Sequence, residues 1–451
     1  VERPMYFNYK GVWTGGHDAM GFAEEPVIPP TLHVVPGTGM RKFVDTLPGL
    51  GAANANNLGQ YIPVAVPDTT TYPGSDYYEI ELGEYTEQMH SDLPPTTLQG
   101  YRQTNTSDPT VSVFNYLGPL IVAQSNRPVR VKFTNKLPTG AGGDLFLPVD
   151  TTMMGAGMGP NMAMAHHAMQ VGGAGSVVEI MTMEPHTFQA GVRVMLTGFE
   201  PAAYNGEFYV LPDGLDADHF RVDLGVDPGG PATVLGDVAE MYTQNRAAVH
   251  LHGGFTPWIS DGTPHQWITP AGETTSYPEG VSVRNVPDMP DPGDGSMTFF
   301  YTNQQSARLQ FYHDHAWGIT RLNVYAGQAA PYIIEDQVEK DLIYGTNVSG
   351  VNPGRVKVIP EEQIPLIIQD KTFVPDAEQL AWQDPTWDTA KWGGKGNLWF
   401  PHVYMPNQNP ADPSGFNAFA RWHYGPWFWP PTNNIKYGPV PNPYYDPVNA
   451  P

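Results

Sequence analysis

Val129-Arg130-Val131-Lys132-Phe133, closed by Leu137-Pro138, is the stretch that decides the fold. On a strand, alternation puts Val129, Val131 and Phe133 on one face and the two cations on the other. The Leu-Pro step then ends the strand in a turn. Tyr77-Tyr78-Glu79-Ile80-Glu81-Leu82 carries the same period, and no segment sustains a 3.6-residue period. The 48 Gly and 47 Pro of the 451 residues do not fit long helices, where an interior Gly costs about 1 kcal/mol and a Pro about 3. With 11 Trp, 23 Tyr and 19 Phe the chain still has ample material for a core. Short strands between turns predict an all-β protein, a Greek-key sandwich or barrel.

Lys and Arg total 23 against 46 Asp and Glu, a formal charge of −23. Such a surface repels nucleic acid and anionic lipid and attracts cations. No apolar run approaches the ~18 residues of a membrane span. The start at Val1 leads us to expect the mature terminus of an exported protein, secreted or periplasmic or at the cell surface. The architecture expected is cupredoxin-like. Residues 1–76 read as an extended wrapping segment, and 77–140 with 241–340 as one cupredoxin-like domain. Residues 141–175 read as a Met/Gly-rich insertion and 176–240 as a small inserted β module of Ig-like or adhesion type. Residues 341–451 read as the start of a second such domain followed by an aromatic, Pro-rich tail. The insertion holds Met153, Met154, Met158, Met162, Met164, His166, His167 and Met169. Thioethers suit Cu(I), but they also fill gaps in loosely packed surface, and that plainer reading is preferred.

Two motifs carry chemistry. In Val249-His250-Leu251-His252-Gly253-Gly254, a strand points both imidazoles the same way, and Gly253 permits close backbone approach. Phe311-Tyr312-His313-Asp314-His315 repeats the pattern. Two such strands could converge on one metal site with four imidazoles, a donor set that suits zinc, copper, iron or nickel. Asp314, between two ligands, faces the opposite way and reads as a supporting residue. No cupin-type Glu follows His252, and the helical repeats of a (β/α)₈ hydrolase are absent.

These residues resemble a known family. His250-Leu251-His252-Gly253, Ser260-Asp261-Gly262, Tyr301-Thr302-Asn303-Gln304-Gln305, Tyr312-His313-Asp314-His315-Ala316 and Thr320-Arg321-Leu322-Asn323-Val324-Tyr325-Ala326-Gly327 resemble the first-domain signature of bacterial multicopper oxidases, the spore-coat laccase type above all. Lys42 to Pro48, His90 to Thr96 and Gly118 to Ile121 extend the likeness upstream, and Ile364 to Lys371 resembles the opening strand of that family's second domain. The resemblance implies that His250 binds a type 2 copper, His252 a type 3 copper, and His313 and His315 one type 3 copper each. It implies that Asp261 delivers protons during dioxygen reduction; on its own spacing, Asp261 equally reads as a turn cap before Gly262.

The family pattern is incomplete here. The chain has no cysteine, so it holds no type 1 copper site, and the late HPxHxH and HCHxxxH segments are missing. The expectation is therefore an N-terminal part of a laccase-like copper oxidase, contributing half of the trinuclear ligands. It would reduce O2 with electrons from a phenol, an aromatic amine or a low-valent metal ion. Its partner would be a C-terminal half, as a separate or cleaved chain. The alternatives are a non-catalytic structural or adhesive protein and a copper storage or delivery protein.

Overall fold

The computed structural model describes residues 40–151, 154–280, 284–383 and 387–399. Their strands, in chain order, are β1 (Asp76–Glu87), β2 (Thr96–Gln103), β3 (Ile121–Gln124), β4 (Val129–Asn135), β5 (Met158–Gln170), β6 (Val177–Thr182) and β7 (Arg193–Thr197). They continue as β8 (Gly206–Leu211), β9 (His219–Asp223), β10 (Asp237–Met241), β11 (His250–His252), β12 (Ser296–Tyr301), β13 (Arg308–His313) and β14 (Ala329–Glu335). Short helices α1 (Thr320–Ala326), α2 (Gln337–Tyr344), α3 (Ala377–Gln383) and α4 (Thr389–Trp392) fall late in the chain.

Two four-stranded sheets, ordered β12-β4-β1-β2 and β11-β13-β14-β3, make the cupredoxin-like sandwich. β4 alternates as its sequence requires, with Val129, Val131 and Phe133 buried and Arg130 and Lys132 on the outer side. It runs parallel to β1, setting Val131 beside Tyr78. From the other sheet, Leu251, Tyr312, Tyr332 and Ile334 close on the same core. Residues 77–140 and 241–340 thus build one body, although the intervening hundred-odd residues separate its halves.

Those intervening residues form a closed antiparallel barrel, ordered β10-β5-β6-β9-β8-β7, around its own core of Val178, Ile180, Val194, Leu196, Phe220 and Val222. Here the expected divisions need correcting. The Met-rich stretch is not a separate loose insertion, because most of it is β5, a wall of the barrel, and the expected boundary at 175/176 cuts the barrel in two. The physical reason is an inverted pattern. Ala165 and Ala168 point inward while Met158, Met162, Met164 and Met169 are exposed, so alternation of polarity is hidden. Met153 lies outside the described residues. The module is a barrel rather than an Ig-like sandwich, since closure leaves no sheet edges.

Of the expected wrapping segment, residues 40–75 are irregular, with turns and a 3-10 helix at Ala52–Asn54, and touch the sandwich through isolated bridges such as Val64 to Leu120; residues 1–39 lie outside the described part. Beyond β14, Asp336 caps α2 by accepting from the Glu339 amide. Residues 364–371 form no strand, contrary to expectation. Ile364, Leu366 and Ile368 alternate but stay exposed, because no strand among the described residues lies beside them. Val374, Leu380, Trp387 and Trp399 then pack into a small cluster that touches β2 through a Thr96 hydroxyl donating to the Gly396 carbonyl. The tail from residue 400 lies outside the described residues.

Candidate metal centre

β11 and β13 are antiparallel neighbours in register His250 to His313, Leu251 to Tyr312 and His252 to Phe311. Leu251 and Tyr312 face the core, so the pleat turns both histidines of β11, and His313 opposite them, to the other face. The chain after β13 brings back His315. Ring centroids lie 5.5 Å apart for His250 and His313, 5.0 Å for His250 and His315, and 5.4 Å for His252 and His313. All four histidines that the sequence singles out therefore meet in one cluster. His250, His252 and His313 each present a ring nitrogen within 4.8 Å of the others.

Main-chain carbonyls set the ring orientations. His250 Nδ1 lies 2.5 Å from the Asp261 carbonyl oxygen, and His313 Nδ1 lies 2.5 Å from the carbonyl of Asp314. Each ring then donates from Nδ1 and presents Nε2 as the lone-pair nitrogen. His252 Nδ1 stands 3.2 Å from His313 Nε2. Two imidazole nitrogens this close could together hold one first-row metal ion. The His315 Nδ1 is buried without a hydrogen-bond partner, a donor atom a metal would satisfy. Burial, aided by the neighbouring imidazoles, pushes His313 down to about 4 and lowers His315 as well. Both are neutral at pH 7 and need shed no proton to bind a cation. Neutral, convergent imidazoles fit copper by ligand type.

Asp314 lies on the opposite side of the strand from the histidines, as its position between them implies. Its fully buried carboxylate accepts from the Ala248 amide at 2.8 Å, the Ala316 amide at 3.0 Å and Asn323 Nδ2 at 3.1 Å. One side chain therefore clasps the approach to His250 and the exit from His315. Burial raises its pKa to about 7. Sequence reasoning missed Arg246, which lies under the same site. Its guanidinium is fully buried between the Tyr242 and Trp267 rings and donates to the carbonyls of Thr243, Gly155 and Trp317. The available signal was a lone Arg opening the apolar run to His250.

Asp261 sits at the cluster's edge. Its carboxylate is 3.6 Å from His250 Nδ1 and accepts from the Thr256 hydroxyl at 3.1 Å, and its side chain is 37% exposed. Gly262 follows with φ +64°, and a Cβ there would fall 1.8 Å from the Val249 carbonyl oxygen. That close approach holds the Asp261 carbonyl over His250. At Gly253, φ is +79° and a Cβ would meet only Gln310 Nε2 at 3.3 Å, so conformation rather than crowding requires glycine.

The laccase of Bacillus subtilis (strain 168) is 27% identical over 338 residues, covering 75% of this chain and 39% of that protein. The laccase of Bacillus stratosphericus is 29% identical over 375 residues, covering 83% of this chain and 42% of that protein. The chain thus spans about two fifths of the length of these curated relatives. No family model matches. Among solved structures, a variant of the McoA multicopper oxidase of Aquifex aeolicus aligns over 77% of this chain and 39% of that one, with a TM-score of 0.33 at 16% identity.

Proposed function

As a relative of the bacterial multicopper oxidases, this chain, we propose, supplies the N-terminal four imidazoles of a trinuclear copper centre that reduces O2 to water. The observation that carries the reading is the His250–His313 cross-strand pair, with His252 and His315 in ring contact around it. In this reading His250 would hold the type 2 ion, His252 and His313, whose ring nitrogens lie 3.2 Å apart, would hold one type 3 ion, and His315 would serve the other. Bound copper supplies one-electron exchange with a reductant and with dioxygen.

The chain's own residues do the rest. The carbonyls of Asp261 and Asp314 fix the imidazole tautomers, and Asp314 holds the two histidine strands in register. Asp261, partly exposed beside His250, is placed to pass protons inward, and forming two waters from O2 consumes four of them. With no cysteine in this sequence, the electron-entry site and the remaining histidines would come from a C-terminal part outside it, and the chain spans 39% of the length of the Bacillus subtilis laccase. In this reading that part completes the centre, as a continuation of this polypeptide or as a partner chain. The reductant is a phenol, an aromatic amine or a low-valent metal ion, and the setting is extracytoplasmic. Among the described residues no helix is long and apolar enough to cross a membrane.

The test is the mass and copper content of the native particle, with oxygen uptake on a phenolic reductant. We expect about four coppers per particle and a cysteine-bearing part within it. His250→Ala and His313→Ala should each abolish oxygen uptake. A copper-free particle, or uptake unaffected by both substitutions, overturns the proposal.

A further inference from the structure

The outer wall of the inserted barrel carries large apolar side chains where a soluble protein normally places polar ones. Met164 is 61% and Met183 58% exposed, and Met162 and Met169 are exposed beside them. Strand register gives these residues an order that the sequence does not show. β5, β6 and β9 set His167, Met181 and His219 directly abreast, since His167 pairs with Met181 and Met181 with His219. Residues directly opposite on antiparallel strands share a face. Just past the end of β6 comes Met183, whose amide donates to the Met164 carbonyl at 2.9 Å, so the backbones of these two methionines lie side by side. The ladder shifts register between Ala165 and His167. That bulge leaves His166 as the extra, exposed residue between the two rungs.

Strands about 4.8 Å apart, with same-face residues about 6.6 Å apart along each, confine six donor side chains to a patch on the order of 10 Å across. Three are thioethers and three imidazoles. His219 is already oriented, with Nδ1 3.1 Å from an Asp216 carboxylate oxygen, which leaves Nε2 as its ligand atom. Asp237 pairs with Met164 on the far side and adds a negative charge beside the sulfurs.

We propose that this face of the barrel, centred on His167, Met181 and His219 with Met164 and Met183 alongside, binds one soft monovalent metal ion of the Cu(I) class. Thioether sulfur is a soft donor that favours Cu(I) over hard or borderline divalent ions, and imidazole accepts the same ion. Sulfur flanked by imidazole also explains why methionines, rather than leucine or valine, stand exposed in register here. The chain's charge of −23 raises the local concentration of any cation. This site is built on other strands from the histidine cluster of β11 and β13 and does not depend on the oxidase reading.

The test uses the full chain and Ag(I), a redox-inert ion of the same softness, followed by calorimetry and by NMR of ¹³C-methyl-labelled methionine. To separate the two sites, the titration is made in a His250→Ala/His313→Ala background. We expect one Ag(I) to remain bound there and to shift the methyl signals of Met164, Met181 and Met183. Met181→Leu/Met183→Leu, conservative in volume and on the barrel's outer side, should weaken that binding at least ~10-fold. Zn(II) should bind far more weakly than Ag(I). Silver affinity unchanged by the leucine variant, or zinc bound as tightly as silver, would overturn the proposal. Folding of the leucine variant is checked by its undisturbed barrel amide signals.

Discussion

Replacing Asp314 by Asn isolates the group that joins the two histidine strands. The substitution is nearly isosteric but puts an NH2 where an oxygen now accepts from Ala316 and Asn323, or from Ala248. Leaving a buried donor unpaired costs about 1–3 kcal/mol. The pH dependence is the sharper signature. The folded pKa of Asp314 is raised to about 7 from its ordinary 3.8. A raised carboxyl pKa means that the folded state holds a proton the unfolded state has released. Its stabilising contribution is full below pH 3.8 and is lost as pH rises through about 7. Three pH units at about 1.4 kcal/mol each make roughly 4 kcal/mol. His313 acts in the opposite sense. Its folded pKa, lowered to about 4 from 6.5, imposes a penalty that appears as pH falls below 6.5.

The wild-type profile alone is therefore flattened, and the difference between wild type and Asp314→Asn removes the His313 contribution. The assay is urea unfolding of the chelator-treated chain between pH 4 and 8, with amide exchange in β13 assigning the transition to the sandwich. The wild-type advantage should shrink by roughly 4 kcal/mol across that range. Parallel profiles for the two proteins would refute a buried, proton-holding Asp314.

Three more measurements bear on the same site. Gly262→Ala adds a methyl on top of the Val249 carbonyl and strains a φ of +64°, so it should destabilise by at least ~2 kcal/mol and weaken copper binding, read by competition with a chromophoric chelator. Arg246→Met keeps length but strips three carbonyls of their donor; about 3 kcal/mol should be lost in thermal or urea unfolding, and an equally stable variant would contradict the role given to the guanidinium. Because burial pushes His313 down to about 4 and lowers His315 as well, protons should compete little with Cu(II) for these two rings between pH 6 and 8, measured by calorimetry in a His250→Ala/His252→Ala background. A loss of affinity on going down from pH 7 to pH 6 of the size an ordinary imidazole shows would count against the buried geometry.

The sandwich and its histidine-bearing face were legible in the sequence because period-two patterning fixes which side of a strand is buried. Val129, Val131 and Phe133 could face only the core, and the apolar Leu251 and Tyr312 between the histidines had to turn the imidazoles the other way. Spacing also placed Asp314 opposite the histidines. What no local pattern determined was pairing. That His250 stands across from His313, and His167 beside Met181 beside His219, is decided by register between strands far apart in the chain. The barrel was hidden for a related reason: β5 buries alanine and exposes methionine, so its inward face is recognisable only once the other five strands close around it. Residues 364–371 show the converse, an alternating segment that no strand among the described residues lies beside. Sequence thus determined the faces, and tertiary structure decided which faces meet, because side-chain polarity acts locally while a backbone ladder needs a partner.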